Sequence, residues 1–151
     1  MAAPDAIPTE AGFVLFCRDV AGITTTVMPD GDPGFDYAYA FALQWIPQTL
    51  NCVSGIMYTA AIYNWGVSLI IEFQADQSGQ TFFTDLRKQF GTSNFVPGVI
   101  STTADQATSD GLTIGTALSN MNLEDLQRVK DPFGRRALSI LSATGPMWGL
   151  S

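Results

Sequence analysis

Glu10, Asp19 and Thr25 are the first side chains in this sequence that could do chemistry together, in the spacing E-x8-D-x5-T. A carboxylic acid and a carboxylate on either side of a glycosidic bond, one with its pKa raised by burial, would be able to hydrolyse it. Thr24, Thr25 and Thr26 are consecutive, so a threonine at that offset carries little information. Glu10 at a helix start and Asp19 on a surface also account for both acids without catalysis. Asp30, Asp32 and Asp36 cluster like the start of a calcium loop, but the glutamate at the twelfth position and the ligand spacing are missing, which leaves a solvated turn. Neither GxxxxGK[ST] nor GxGxxG occurs. Ser54-Gly55 has no GxSxG context and no histidine to activate the hydroxyl. Arg135 and Arg136 beside Phe133 would suit an anion, although a salt-bridged helix surface is the plainer reading.

Composition narrows the classes further. The 151 residues include no histidine, which removes His-based triads, imidazole bases and histidine metal ligands together. Seven Lys and Arg against fourteen Asp and Glu argue against tight binding of duplex DNA, which depends on cations neutralising phosphates. Cys17 and Cys52 are far from any CxxC spacing and read as small buried hydrophobes in a reducing compartment. No cofactor and no metal are expected. Only 14% of residues are charged, against the usual quarter, so part of the surface is expected to be covered by something else. Ten Phe, four Tyr and three Trp exceed what one core of this size must hold, and buried aromatics dominate subunit contacts as well as cores. The opening MAAPDAIP lacks the basic and apolar regions of a signal peptide.

The elements that would position these residues are mostly helices, and the fold class expected is mainly α, a single-domain bundle of about six. Thr9–Gly22 carries Phe13, Phe16, Cys17 and Val20 on one face, with Thr9 as cap and Gly22 as left-handed stop. Pro29–Gly34 reads as loop, and Phe35–Ile46 as a helix ended by Pro47. Val53–Gln74 reads as a long helix with Tyr58, Ala61, Ile62, Trp65, Leu69 and Phe73 on one face. A strand through Trp65–Phe73 stays open, because a short apolar run has no clear period. Gly79–Phe90, an Asn122-capped helix with Arg128 and Lys130 in its last turn, and a helix opened by Asp131-Pro132 complete the set. The last carries Phe133, Ala137, Ile140 and Leu141 as its buried stripe. No side chain is charged from Tyr37 to Ile71. That run is long enough to span a membrane, but polar residues and Pro47 interrupt it; buried helices are expected and no membrane.

Residues 92–121 are rich in Ser, Thr, Gly and Asp, with apolar anchors that a disordered linker would not need. A hairpin of Val96–Ser101 with Leu112–Thr116 and an extended arm onto a neighbouring subunit are both open. The expected subunit-interface residues are Phe95, Val96, Val99, Ile100, Leu112 and Ile114 from this segment. Met147, Trp148 and Leu150 join them from the apolar tail at 146–151.

Two resemblances bear on function. The Glu10, Asp19 and Thr25 spacing resembles the catalytic set of phage-type lysozymes, though the glycine- and histidine-containing strand of that family is missing. More of the chain is engaged by a second likeness. PDGDP followed by an alanine/tyrosine helix, MYTAAIYNWG, FFTDLRKQFG, NFVPGVISTTADQATSDGL and NLEDLQRVKDPFGRRAL ending in MWGL together resemble a family of structural proteins from tailed bacteriophages. This likeness implies a non-catalytic virion component, assembled in the host cytoplasm, in the head–tail connector, neck or tail completion. Its partners would be sister copies in a ring and the portal or tail proteins. DNA would pass through without being held, as an acid-rich lining repels phosphate. A membrane-associated phage protein built on the uncharged run, or a cell-wall hydrolase using Glu10, is the alternative.

Overall fold

The uncharged stretch of the sequence supplies the centre of the fold. In the computed structural model, which describes residues 6–92, 103–105, 108–110 and 128–143, α4 (Gly55–Phe73) is buried at every residue from Tyr58 to Ile71 except Ala60. Every other described helix packs against it: α1 (Glu10–Asp19), α2 (Pro33–Trp45), α3 (Thr49–Val53), α5 (Phe82–Phe90) and α6 (Pro132–Ala143). The chain is mainly helical, as expected. A helix covered on all sides has no apolar stripe to display, which is why a strand stayed open for Trp65–Phe73; that stretch is helix. Phe73, expected in the buried stripe, is 65% exposed, because it is the last residue of α4 and lies past its cover.

Local chemistry sets the boundaries. The Thr9 hydroxyl accepts from the Gly12 N–H at 3.1 Å, and Gly22 at φ +69° closes the turn after α1. The Tyr63 hydroxyl donates to the Thr9 carbonyl and accepts from the Thr9 N–H, both at 3.0 Å, which ties the start of α1 to the centre of α4. Asp32 accepts from the Gly34 N–H at 2.8 Å with Pro33 at the first helical position. This corrects the reading of Pro29–Gly34 as wholly loop: the Asp-Pro pair is a helix start. Similarly, Ser54 accepts from the Met57 N–H and caps α4, splitting the expected Val53–Gln74 helix and leaving α3 as a separate short turn. At Gly66 both α1 and α2 approach α4 closely. A Cβ there would stand 2.7 Å from the Phe13 ring and 3.6 Å from the Ala38 carbonyl oxygen.

The α4–α5 junction is capped from both sides. Arg87 donates to the Ile71 and Gln74 carbonyls at 3.0 and 2.8 Å, satisfying acceptors at the end of α4. Asp76 accepts from the N–H groups of Phe83 and Thr84 at 2.6 and 3.0 Å and from the Thr84 hydroxyl. The helix expected from Gly79 therefore begins at Phe82, since Gly79 at φ +80° belongs to the preceding turn. On α6 the buried residues are Gly134, Ala137, Leu138 and Leu141, with Phe133 and Ile140 half-buried, so the expected stripe is rotated. Two short strands, β1 (Thr103–Asp105) and β2 (Thr108–Asp110), pair antiparallel with Ala104 opposite Ser109. This hairpin falls between the strands expected at 96–101 and 112–116, which lie outside the described residues. Residues 122–127 of the expected Asn122-capped helix also lie outside the described residues.

Candidate assembly surface

Residues 37, 41 and 45 recur at one-turn spacing along α2, on a face separate from its buried Phe35, Ala38 and Ala42. Their rings stack in sequence. Tyr37 and Phe41 have centroids 6.0 Å apart, Phe41 and Trp45 5.9 Å, and Trp45 and Trp65 of α4 another 5.9 Å, with interplanar angles of 27°, 13° and 20°. Tyr37 is 61% exposed and Trp45 44% exposed, whereas Trp65 is fully buried. The ladder thus runs from solvent into the core.

At its buried end stands Arg128. Its guanidinium carbon lies 4.3 Å from the Trp65 centroid, its Nη1 donates to the Ser68 hydroxyl at 3.2 Å, and its Nη2 is 3.6 Å from Glu72. Ser68 in turn donates to Asp131 at 2.7 Å, and the other Asp131 oxygen accepts from the Gly134 N–H, capping α6. Arg128 was expected in a last helical turn, a place where cations usually face solvent. It is instead buried, because the Trp65 face and the Ser68 hydroxyl receive a charge that would otherwise need water.

At the exposed end of the ladder, Tyr37, Leu69 and Phe73 wall a groove of about 300 Å³ between the start of α2 and the end of α4. No charged side chain lines it, and its polar groups are the Tyr37 hydroxyl and Gln74. The uncharged run thus builds the core with α4 and an apolar, solvent-facing strip with α2. Patches of this kind mark interaction sites.

The expected chemistry does not assemble. Glu10 and Asp19 occupy opposite ends of α1, about 13 Å apart at 1.5 Å per residue, beyond the span of about 5–9.5 Å over which two carboxyls share a glycoside. Glu10 instead meets Asp36. Their hydrogen bond, together with repulsion between the two carboxylates, holds the Glu10 pKa above its ordinary value. The Asp30, Asp32 and Asp36 cluster is dispersed: Asp30 pairs with Arg18 at 2.7 Å, Asp32 caps α2 and Asp36 faces Glu10. Ser54 is a helix cap, and Arg135 and Arg136 are exposed. Burial pushes the Cys17 thiol up to about 12. Cys52, expected to be buried, is exposed on α3, a five-residue helix whose single buried residue is Leu50.

Phe95, Val96, Val99, Ile100, Leu112, Ile114, Met147, Trp148 and Leu150 lie outside the described residues. Tyr37, Trp45 and Phe73 were missed as surface groups, with the half-buried Phe41 between the first two, although the i, i+4, i+8 spacing of 37, 41 and 45 opposite two small alanines was available as a signal. α4 is long and apolar enough to cross a membrane, but most of it lies inside the fold. Comparison with protein-family models, curated proteins and solved structures finds no match.

Proposed function

We propose that the chain is a non-catalytic structural subunit that works by packing against further copies of itself. The observation that carries this reading is the uncharged aromatic strip of Tyr37, Phe41 and Trp45, which continues into the groove beside Phe73. Aromatic side chains are the residues that anchor protein interfaces, and a strip without charges loses little by being desolvated. The low charged fraction of the whole chain agrees with a protomer partly covered by its neighbours.

Within that class, the sequence likeness to tailed-phage structural proteins supports a virion component of the head–tail connector, neck or tail-completion kind. Its ring would be closed by heterologous contacts, one face of each copy meeting a different face of the next. A net charge of −7 suits a channel through which DNA slides without being gripped. The membrane-associated alternative requires α4 to leave the contacts it makes with five other helices.

Sedimentation velocity over a hundredfold concentration range tests the reading. A closed species of several times 16.2 kDa is expected. A single 16.2 kDa species throughout, with no added mass in the presence of a portal or tail protein, would overturn it.

A further inference from the structure

We propose that the groove between α2 and α4 receives, from a second copy of this chain, the apolar knob that Ile7, Val53 and Ile56 form at the opposite end of α4. The inference rests on the assembly role above and names the two faces that meet.

α4 sets the position of both faces. Ile7, Val53 and Ile56 are each more than half exposed and gather at its start. A Cβ on Gly55 would collide with the Ala6 carbonyl oxygen, so the chain leading into α1 lies against the α3–α4 junction and carries Ile7 to the same end as Val53 and Ile56. Tyr37 and Phe73, exposed as well, wall the groove at the other end. Ile56 and Phe73 are about 26 Å apart along α4, at 1.5 Å per residue, and the helix between them is packed inside the fold. One chain therefore cannot cover its groove with its own knob.

Charge selects a second copy as the occupant. Each copy carries a net charge of −7, so two copies repel unless they meet through faces that hold no charge. No charged side chain lines the groove, and residues 6–9 and 51–57 hold none around the knob. A basic partner would be gripped by acidic groups, which both faces lack. The shapes are complementary too. The groove is a concavity of about 300 Å³, and the knob is made of β-branched side chains whose stiff χ1 leaves little rotamer freedom to lose on docking. Because the giving and accepting faces differ and lie at opposite ends of one helix, each docked copy still offers a free face. That is a head-to-tail contact, which closes into a ring when the rotation between copies allows it.

Cys52, exposed beside Val53, makes the contact directly testable, since Cys17 is buried and silent. Gln74→Cys places a second thiol at the groove and leaves Tyr37 and Phe73 in place. Residues 52 and 74 flank the two ends of α4, too far apart for a disulfide within one chain. Oxidation with copper phenanthroline should therefore give a ladder of linked copies, and peptide mass spectrometry should find the 52–74 link at least about tenfold over the 52–52 and 74–74 links. Tyr37→Cys repeats the reading from the other wall, and circular dichroism confirms that both variants fold. Ile56→Glu, an acid in a first helical turn where folding tolerates it, should weaken self-association about tenfold or more. If wild type assembles but like-with-like links dominate, no link forms, or Ile56→Glu assembles like wild type, the pairing of knob and groove is overturned and the assembly role stands. A wild type that stays monomeric overturns both.

Discussion

The Arg128 guanidinium and the Trp65 ring are in cation–π contact at 4.3 Å, and the Trp65 ring also stacks on Trp45 at 5.9 Å. One buried tryptophan therefore joins α4 to Arg128, just ahead of α6, and to the exposed strip of α2. Glu72, whose carboxylate lies 3.6 Å from Arg128, is 39% exposed and keeps its hydration when the cation is removed. Arg128→Ala removes the packing and the desolvated cation–π contact and also leaves the buried Ser68–Asp131 pair without its cation, so a loss of at least about 2 kcal/mol is expected. Arg128→Lys should recover less than half, since an ammonium cannot lie flat on the indole. Urea unfolding of both, with Trp65→Leu to complete a double-mutant cycle, should give a coupling of about 1–2 kcal/mol. Coupling near zero would dismiss the contact as incidental.

Gly66 predicts a different kind of failure. An added methyl would stand 2.7 Å from a Phe13 ring that is itself fully buried and cannot swing away. Gly66→Ala should destabilise by about 1–3 kcal/mol through overpacking, despite the better helix propensity of alanine. Phe13→Leu in the same chain should return part of the loss, whereas simple additivity of the two would show that the ring is not the obstacle.

Two carboxylates give pH dependences of opposite sign. Burial works to raise the Asp76 pKa, but the Thr84 hydroxyl, the Phe83 and Thr84 N–H groups and Arg87 outweigh it and hold the carboxyl below its ordinary value. A depressed pKa stabilises the fold above the ordinary value of about 4 and loses that contribution as pH falls through it. Asp76→Ala should therefore lower stability by about 1–2 kcal/mol at pH 7, the worth of a helix cap, and by less at pH 3. The Glu10 pKa is raised by its hydrogen bond and repulsion with Asp36, so its contribution is present at low pH and lost as pH rises through the folded value. Asp36→Asn should raise the melting temperature at pH 7 and leave it nearly unchanged at pH 3. Melting curves at the two pH values check both signs.

The cysteines should separate cleanly. Cys52 is exposed and should react with a maleimide or a disulfide reagent in the native state. Cys17 is buried with its thiol pushed up to about 12, and should react only after unfolding. Mass spectrometry should find one label under native conditions and two in guanidinium; two native labels would contradict the burial of Cys17.

How much of this could be read from the sequence follows from how local each signal is. Thr9, Gly22, Gly91 and Asp131-Pro132 mark helix ends through their own backbone chemistry, and each is found at the end it predicts. Asp76 and Arg87 cap helices across a turn, from seven to sixteen residues away, and no local pattern marks them. Arg128 looks like any last-turn cation until Trp65, far away in sequence, is brought under it. The α2 strip was hidden for another reason: apolar residues on both faces of a helix do not say which face is covered. Tyr37, Phe41 and Trp45 read as part of a buried helix until Ala38 and Ala42 are seen to take the inner side.

The central claim is that the α2 face and its groove are what another copy covers. Hydroxyl-radical footprinting at low and high protein concentration tests it residue by residue. Tyr37, Trp45 and Phe73, at 61%, 44% and 65% exposure in the single chain, should oxidise readily when dilute and become protected several-fold on assembly. Leu15, 62% exposed on the separate helix α1, serves as the reference. Equal oxidation of the three aromatics in the dilute and concentrated samples would contradict the account.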